Sequence, residues 1–266
     1  MESRIYNNEF GLKINLYQSI IIYTKNCTLT IKDLRKNDQL IINEGEFVFM
    51  ERNLRAHVVI KKKNDNAPYE MLSIHNDKLR EIVKVFEPFG KITIDQKKES
   101  RNITDKILTL TDQGGVINCI FENLKKSDES DRSVWEFAYL LSKAARIEKL
   151  YTSLCFAVSH SFTDKIRKMI EGDLSRKWRL STIADELNIS EVTVRKRLET
   201  EDMNFNQVLL DVRMRAAVKF ILDGEYHINK ISTLLGISSV SYFIRMFSGY
   251  YGVTPKQFYM YNKNKK

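Results

Sequence analysis

Residues Ile183 to Thr193 read IADELNISEVT, and 48 residues later Ile231 to Ser241 read ISTLLGISSVS. Leu187, Asn188, Ile189, Ser190, Val192 and Thr193 in the first copy match Leu235, Gly236, Ile237, Ser238, Val240 and Ser241 in the second. Each copy has the pattern of a helix, a tight turn and the start of another helix. Asn188 and Gly236 fall where a helix ends, and Asn and Gly tolerate the left-handed backbone that a sharp helix-helix turn requires. Ser190, and Ser238 or Ser239, can then cap the next helix by accepting its first free N–H groups. Beyond the turn, Val194 and Leu198 align with Phe243 and Phe247 at a spacing of 49, so the second copy carries one extra turn residue. Two helix-turn-helix units in one chain point to double-stranded DNA as the partner.

Between the copies, Val208, Leu209, Val212, Ala216 and Phe220 recur at steps of three and four with no Gly or Pro before Gly224, which predicts one long helix from Asn204 or Phe205. About 19 residues at roughly 1.5 Å each give nearly 30 Å, close to the roughly 34 Å between successive major grooves on one face of B-DNA. The second helix of each unit is the expected groove reader. Over Glu191 to Glu199, Val194 and Leu198 should be buried, leaving Thr193, Arg195, Lys196 and Arg197 outward. Over Val240 to Phe247, Phe243 and Phe247 should be buried, leaving Ser241, Tyr242, Ile244 and Arg245. Arginine can contact guanine through both arms of its fork, a contact worth about 1 to 3 kcal/mol of discrimination.

Charge agrees with this reading. The 266 residues carry a formal net charge of +9 with a pI near 9.3, and residues 160 to 266 hold 18 Lys and Arg against 12 Asp and Glu. A basic balance suits a polyanion. Cys27, Cys119 and Cys155 form no close pair, and His57, His75, His160 and His227 show no ligand spacing, so no metal or disulfide framework is expected. No apolar run reaches the length of a membrane span, and a reducing cytoplasm is the expected compartment. An enzyme that used the helical part only as an address would need a reactive cysteine cluster or an acid/base constellation. The sequence presents neither, and Cys27 and Cys119, in apolar surroundings, read as core.

From Leu12 to about His75 the pattern is β-rich, with Ile14 and Leu16, Ile20 to Tyr23, Leu29 and Ile31, Phe47 to Phe49, and Val58 to Ile60. Arg35 to Gln39, Asn43 to Glu46 and Lys61 to Pro68 separate these runs, as in a small antiparallel sheet or barrel. The period then turns helical, at Asp77 to Phe86 and again at Val134 to Ile147. This first part is α+β, with strands before helices. A polar loop covers Lys125 to Arg132. A boundary near Ser159 to Ser161 divides the chain into 1–159 and 160–266, the latter opening on a helix with Thr163 as cap, Ile166, Met169 and Ile170 on one side, and Lys165, Arg167 and Lys168 on the others.

Residues 160 to 262 resemble the DNA-binding domain of AraC/XylS-family transcription regulators. Ile231, Gly236, Ser241, Tyr242, Phe243, Arg245, Phe247, Tyr251, Gly252, Thr254, Pro255 and Phe258 match that family's signature. The segments Tyr23 to Cys27, Met50 to Asn53 and Asp173 to Trp178 are similar to its enteric virulence-activator branch, the Rns, VirF and ToxT type. The resemblance implies base reading at Val192, Arg195 and Lys196 and at Val240, Ser241 and Arg245, with phosphate contacts near Ser190, Ser239 and Lys256. It implies an N-terminal cupin-like β-barrel with helices that serve regulation and dimerisation, Val134 to Ile147 being the candidate contact helix, followed by an all-α domain with two helix-turn-helix units on a long helix. It further implies activation of adhesin, toxin or secretion genes through RNA polymerase, by relief of silencing by nucleoid proteins. In some members a fatty acid is held between the domains, and others respond to bicarbonate. Where a basic pair holds the ligand in such members, this sequence has Tyr17 and Ser73, with Arg55 and His75 as substitute anchors. A sensor with DNA release as its output is therefore the alternative to a ligand-independent activator.

Overall fold

A computed structural model describes residues 9–33, 38–64, 66–89, 101–111, 114–128, 132–159, 161–201 and 203–263, and the side chains of these up to residue 260. The chain divides into two compact units, Met1–Ser159 and His160–Lys266. Of the histidines that the sequence presents, His160 lies outside the described residues.

The first unit is built on two four-stranded antiparallel sheets. One has the order β1-β6-β3-β4, from β1 (Glu9–Asn15), β3 (Cys27–Asp33), β4 (Gln39–Ile42) and β6 (Arg55–Lys62). The other has the order β7-β2-β5-β8, from β2 (Ser19–Tyr23), β5 (Phe47–Met50), β7 (Glu70–Ile74) and β8 (Ile107–Leu110). Strand β6 alternates, with Ala56, Val58 and Ile60 buried and Arg55, His57 and Val59 turned away, as a sheet with one covered face requires. Strands β2 and β5 are instead apolar almost throughout, because their sheet is covered on both faces. Ile20, Ile22, Val48 and Met50 face Leu29, Ile31, Ile42, Val58 and Ile60 of the other sheet. Ile21, Phe49, Leu72 and Leu108 face the helices α1 (Asn76–Phe86), α3 (Val116–Lys126), α4 (Val134–Ser142) and α5 (Ile147–Val158). Each fully buried side chain of this kind contributes about 1.5 to 3 kcal/mol. The short α2 (Ile103–Lys106) leads into β8.

Strands do not all precede helices: β8 follows α1 and α2 and pairs with β5, Phe47 opposite Leu110. The apolar pattern of Val134 to Ile147 is not one helix. Helix α4 stops at Ser142, because the Lys143 carbonyl accepts from Thr111 N (3.0 Å) and Ala144 bridges Leu110, which extends the pairing at the end of β8. Its apolar face, Phe137, Ala138 and Leu141, is core, whereas Trp135 on the other side is 72% exposed. Cys119 is exposed on the outer face of α3; only Cys27 is buried as expected, and Cys155 is intermediate.

The second unit is all helical: α6 (Phe162–Gly172), α7 (Leu180–Leu187), α8 (Glu191–Glu199), α9 (Phe205–Asp223), α10 (Ile228–Leu234), α11 (Val240–Tyr251) and α12 (Pro255–Lys263). Ser161, not Thr163, caps α6, its side chain accepting from Asp164 N (3.1 Å). Thr163 instead lies buried in the first turn, and Arg167, expected outward, is buried and paired with Asp164 (2.9 Å). The Glu201 carboxylate accepts from Phe162 N (2.6 Å) and Thr163 N (3.0 Å), placing a negative charge where the helix dipole favours it. Helix α9 begins at the Asn204 cap, ends at Gly224 with φ +72°, and has 19 residues. More than one stripe of it is covered. Val208, Asp211, Val212, Met214, Ala217 and Ile221 are buried, while Leu209, Ala216 and Phe220 of the expected stripe are only half-buried.

Candidate nucleic-acid interface

The two turns show why Asn and Gly occupy matched positions. Asn188 has φ +51° and Gly236 φ +66°, both in the left-handed region. Two residues after Asn188, the Ser190 side chain accepts from Thr193 N (3.1 Å). Three residues after Gly236 the corresponding cap is Ser239, accepting from Tyr242 N (3.3 Å), which decides between the two serines and locates the extra residue. Behind the turns Ile183, Val194 and Leu198 close the first unit's core, and Ile231, Leu235, Ile237, Phe243 and Phe247 that of the second.

Burying Val194 and Leu198 turns the rest of α8 outward. Glu191, Val192, Arg195, Lys196, Arg197 and Glu199 are exposed, as is Ser190 at the helix start, and Thr193 is intermediate. The three consecutive cations are not equivalent. Arg197 lies over the Phe162 ring, 5.3 Å from its centroid, and so leans back onto α6. Arg195 and Lys196 are left to the outer face. Arg195 forms one wall of an open groove of about 570 Å³ between the first turns of α7 and α9, with Trp178, Arg179, Leu198, Asn204 and Phe205.

On α11, Ser241, Tyr242, Ile244 and Arg245 are exposed and Val240 is intermediate; Tyr242 is 48% exposed. Arg245 lies 5.3 Å over the Tyr242 ring, a cation–π contact that holds the guanidinium beside the outer face. Lys256 is exposed in the first turn of α12, next to Pro255. That turn is closed by a reciprocal cap: Gln257 N donates to Thr254 Oγ1 (3.2 Å) and Thr254 N to Gln257 Oε1 (2.9 Å). Ser190, Ser239 and Lys256 thus all stand at helix N-termini, where backbone N–H groups and the helix dipole favour a phosphate.

Buried polar side chains also tie the helices of this unit together. Asp211 is fully buried on α9 and accepts from Gln207 Nε2 (2.7 Å) and Tyr250 Oη (2.9 Å), tying α11 to the spacer. Tyr251 donates to the Met214 carbonyl (3.2 Å), and burial, with Asp211 nearby, raises its pKa, so it stays a neutral donor. An acid and an arginine, Asp211 and Arg213, inside an apolar helical stripe are the available signal, since a charge in such a place requires a partner.

The four candidate ligand residues of the first unit gather around the connection from β1 to β2. Asn15 pairs with Arg55, Ser19 pairs with Ile74, and Gln18 Nε2 is 3.1 Å from His75 Nδ1. Tyr17 is half-buried in that connection, and Ser73 sits opposite Ile20 on the edge strand β7. Arg55 belongs to the outer side of its strand, away from Ala56 and the apolar core between the sheets.

A helix-turn-helix domain family matches residues 183–260. Over 258 residues the chain is 41% identical to the virulence regulon transcriptional activator VirF of Shigella flexneri, covering 97% of each chain. It is 38% identical over 270 residues to the DNA-binding dual transcriptional regulator Rns of Escherichia coli, covering 99% of each. Its fold is similar to crystal structures of ToxT from Vibrio cholerae. An apo variant matches with a TM-score of 0.68 at 20% identity, over 95% of this chain and 92% of that one. An unsaturated fatty acid bound form matches with a TM-score of 0.65 at 18% identity, over 94% and 91%.

Proposed function

Because the chain belongs to the AraC/XylS family of helix-turn-helix transcription regulators, in the branch of the virulence activators, we propose that it activates virulence genes for adhesins, toxins or secretion by binding DNA through both readers at once. The observation that carries this is the outward face of α8 and α11 on one continuous helical spacer, with Arg195, Lys196 and Arg245 free of the core. Val192, Thr193, Arg195 and Lys196 read bases from the first unit, and Val240, Ser241, Tyr242 and Arg245 from the second. Ser190, Ser239 and Lys256 hold phosphates, and Arg197 adds charge from the side. Residues 160–266 act as the DNA-binding domain and 1–159 as the regulatory and dimerisation domain. The chain works in the bacterial cytoplasm at the nucleoid, engages RNA polymerase, relieves nucleoid-protein silencing and performs no enzymatic step. Footprinting of genomic fragments at fixed salt tests the reading. A protected asymmetric site spanning two successive major grooves is expected, and uniform coverage without a preferred site would refute it.

A second reading has one observation in its favour. Tyr17 lies in the connection from β1 to β2, with Arg55 opposite Asn15 at its start and His75 beside Gln18, and these are residue types that can hold a carboxylate such as a fatty acid or bicarbonate. A ligand controls DNA binding only if it binds two states differently. Addition of either compound should then change DNA affinity at fixed salt, and an unchanged affinity rejects the reading.

A further inference from the structure

A protein with two readers depends on the distance and rotation between them. A single helix sets the distance but leaves each reader able to pivot at its own junction. The second unit contains another tie, in the segment 173–178 that joins α6 to α7. Leu174 packs against the apolar core of Phe243, Phe247 and Phe258, which belongs to the second reader. Trp178, four residues on, is buried and lines the groove beside Arg195 of the first reader. The segment between them is held in shape by one aspartate. Asp173 Oδ1 accepts from Ser175 N (3.1 Å), Ser175 Oγ (2.7 Å) and Arg176 N (3.1 Å), and the Asp173 carbonyl accepts from Trp178 Nε1 (2.7 Å).

The turn of the second reader presses on this segment. A Cβ added at Gly236 would fall 2.5 Å from the Ser175 carbonyl oxygen and 2.9 Å from Arg213 Nη2. Arg213 lies near the middle of α9 and donates from Nη2 to the carbonyls of Arg176 (3.1 Å) and Leu174 (3.5 Å). Its Nε makes no hydrogen bond to the described residues, so the guanidinium is held at this junction at a desolvation cost. Burial lowers its pKa.

We propose that Arg213, with Gly236 and the carbonyls of Leu174 to Arg176, is a positioning lock between the two reading helices, through which the protein selects DNA sites by the spacing of their half-sites as well as by their bases. Arg213 acts through the residues it holds and not by touching a base. The inference rests on the DNA-binding reading above.

The test uses the full chain and a duplex that the wild type enriches from a randomised pool, together with versions carrying one base pair inserted or deleted between the two half-sites. One such change moves a half-site by about 3.4 Å and turns it by roughly 35°. The wild type should lose about tenfold or more in affinity at the altered spacings, as for a misplaced specific contact. Arg213→Met keeps the apolar stem and removes the donors. It should bind the original duplex several-fold less tightly and discriminate between spacings by roughly threefold or less. Arg213→Lys, which retains one donor, should recover part of the discrimination and serves alone if Arg213→Met does not fold. A variant that weakens binding equally at every spacing has lost only stability, and that result overturns the lock. A wild type that enriches sites yet tolerates every spacing overturns the lock and leaves DNA binding intact, whereas a wild type that enriches no sequence overturns both.

Discussion

Gly236→Ala tests the close approach at the second turn against its backbone conformation. Placing a Cβ at φ +66° costs about 1 to 2 kcal/mol, as for any residue without special tolerance of left-handed backbone. The same Cβ lies 2.5 Å from the Ser175 carbonyl oxygen and 2.9 Å from both Arg213 Nη2 and the Ser175 carbonyl carbon. Two of these three atoms are backbone, so the turn or the segment 173–178 must shift, at about 1 to 3 kcal/mol more. Gly252→Ala separates the two effects: at φ +84° it carries the conformational cost, but its Cβ would meet nothing within 4 Å. The assay is urea denaturation of the full chain in a Trp135→Phe background, which leaves Trp178 as the one tryptophan of the two in the sequence. Gly236→Ala should destabilise the second unit by about 2 to 5 kcal/mol and Gly252→Ala by about 1 to 2 kcal/mol. Equal losses would refute the close approach and, with it, the rigid contact between the second turn and the segment before α7.

Arg195→Ala and Arg245→Ala should each lose about 1 to 3 kcal/mol on the selected duplex and relax specificity at one base pair, read by competition against single-base variants. Arg197→Ala should leave specificity unchanged, because its guanidinium rests on Phe162. Lys256→Ala should weaken binding to all sequences alike and reduce the slope of log affinity against log salt by about 0.9, measured by titration at several salt concentrations. Glu201→Ala removes the acceptor for two backbone donors of α6 and should cost about 1 kcal/mol in the same urea experiment. Glu51, buried beside Arg101 and Ser153, has its pKa raised by desolvation against the opposing pull of Arg101. The folded state therefore holds this proton more tightly, and Glu51 adds stability as the pH falls through its folded pKa toward the ordinary carboxylate value. Asp105 is partly desolvated, but hydrogen bonds from Lys149 and the Asn102 backbone lower its pKa, so its contribution is present above the ordinary value and fades below it. Glu51→Gln should remove the rise and spare the fall, checked by denaturation of the full chain across mildly acidic pH.

What was legible in the sequence was what short segments decide for themselves. The end of α7, the start of α8, the start and stop of α9 and the burial of Val194, Leu198, Phe243 and Phe247 follow from a capping serine or asparagine, a left-handed Asn or Gly, and apolar residues at helical spacing. What stayed hidden depends on partners far along the chain. Strand β8 looks like a short apolar run until β5, some 60 residues earlier, supplies its neighbour. Helix α4 stops at Ser142 because Leu110 and Thr111 hold Lys143 and Ala144, although the apolar period continues past it. Arg195, Lys196 and Arg197 are one basic run on paper, and only Phe162, on another helix, separates the third from the other two. Arg213 stands out as a charge in an apolar stripe, but its partners, the carbonyls of Leu174 and Arg176 and the turn at Gly236, are brought together by no local pattern.

The same long-range contacts change what the repeat means. As sequence, the two copies on a helical spacer are already unequal, with one extra turn residue in the second and three basic residues, Arg195 to Arg197, in the first against Arg245 in the second. The folded units are unequal in the faces they present. The first carries Arg195 and Lys196 on its outer face beside an open groove, while the second has the longer turn, a single arginine held over Tyr242, and a turn glycine pressed against the segment that leads into the first. A site matched to such a pair has a direction, since exchanging its halves would offer each reader the other's bases. An activator that must stand in one orientation beside a promoter needs that property, and an asymmetric pair of readers supplies it within one chain.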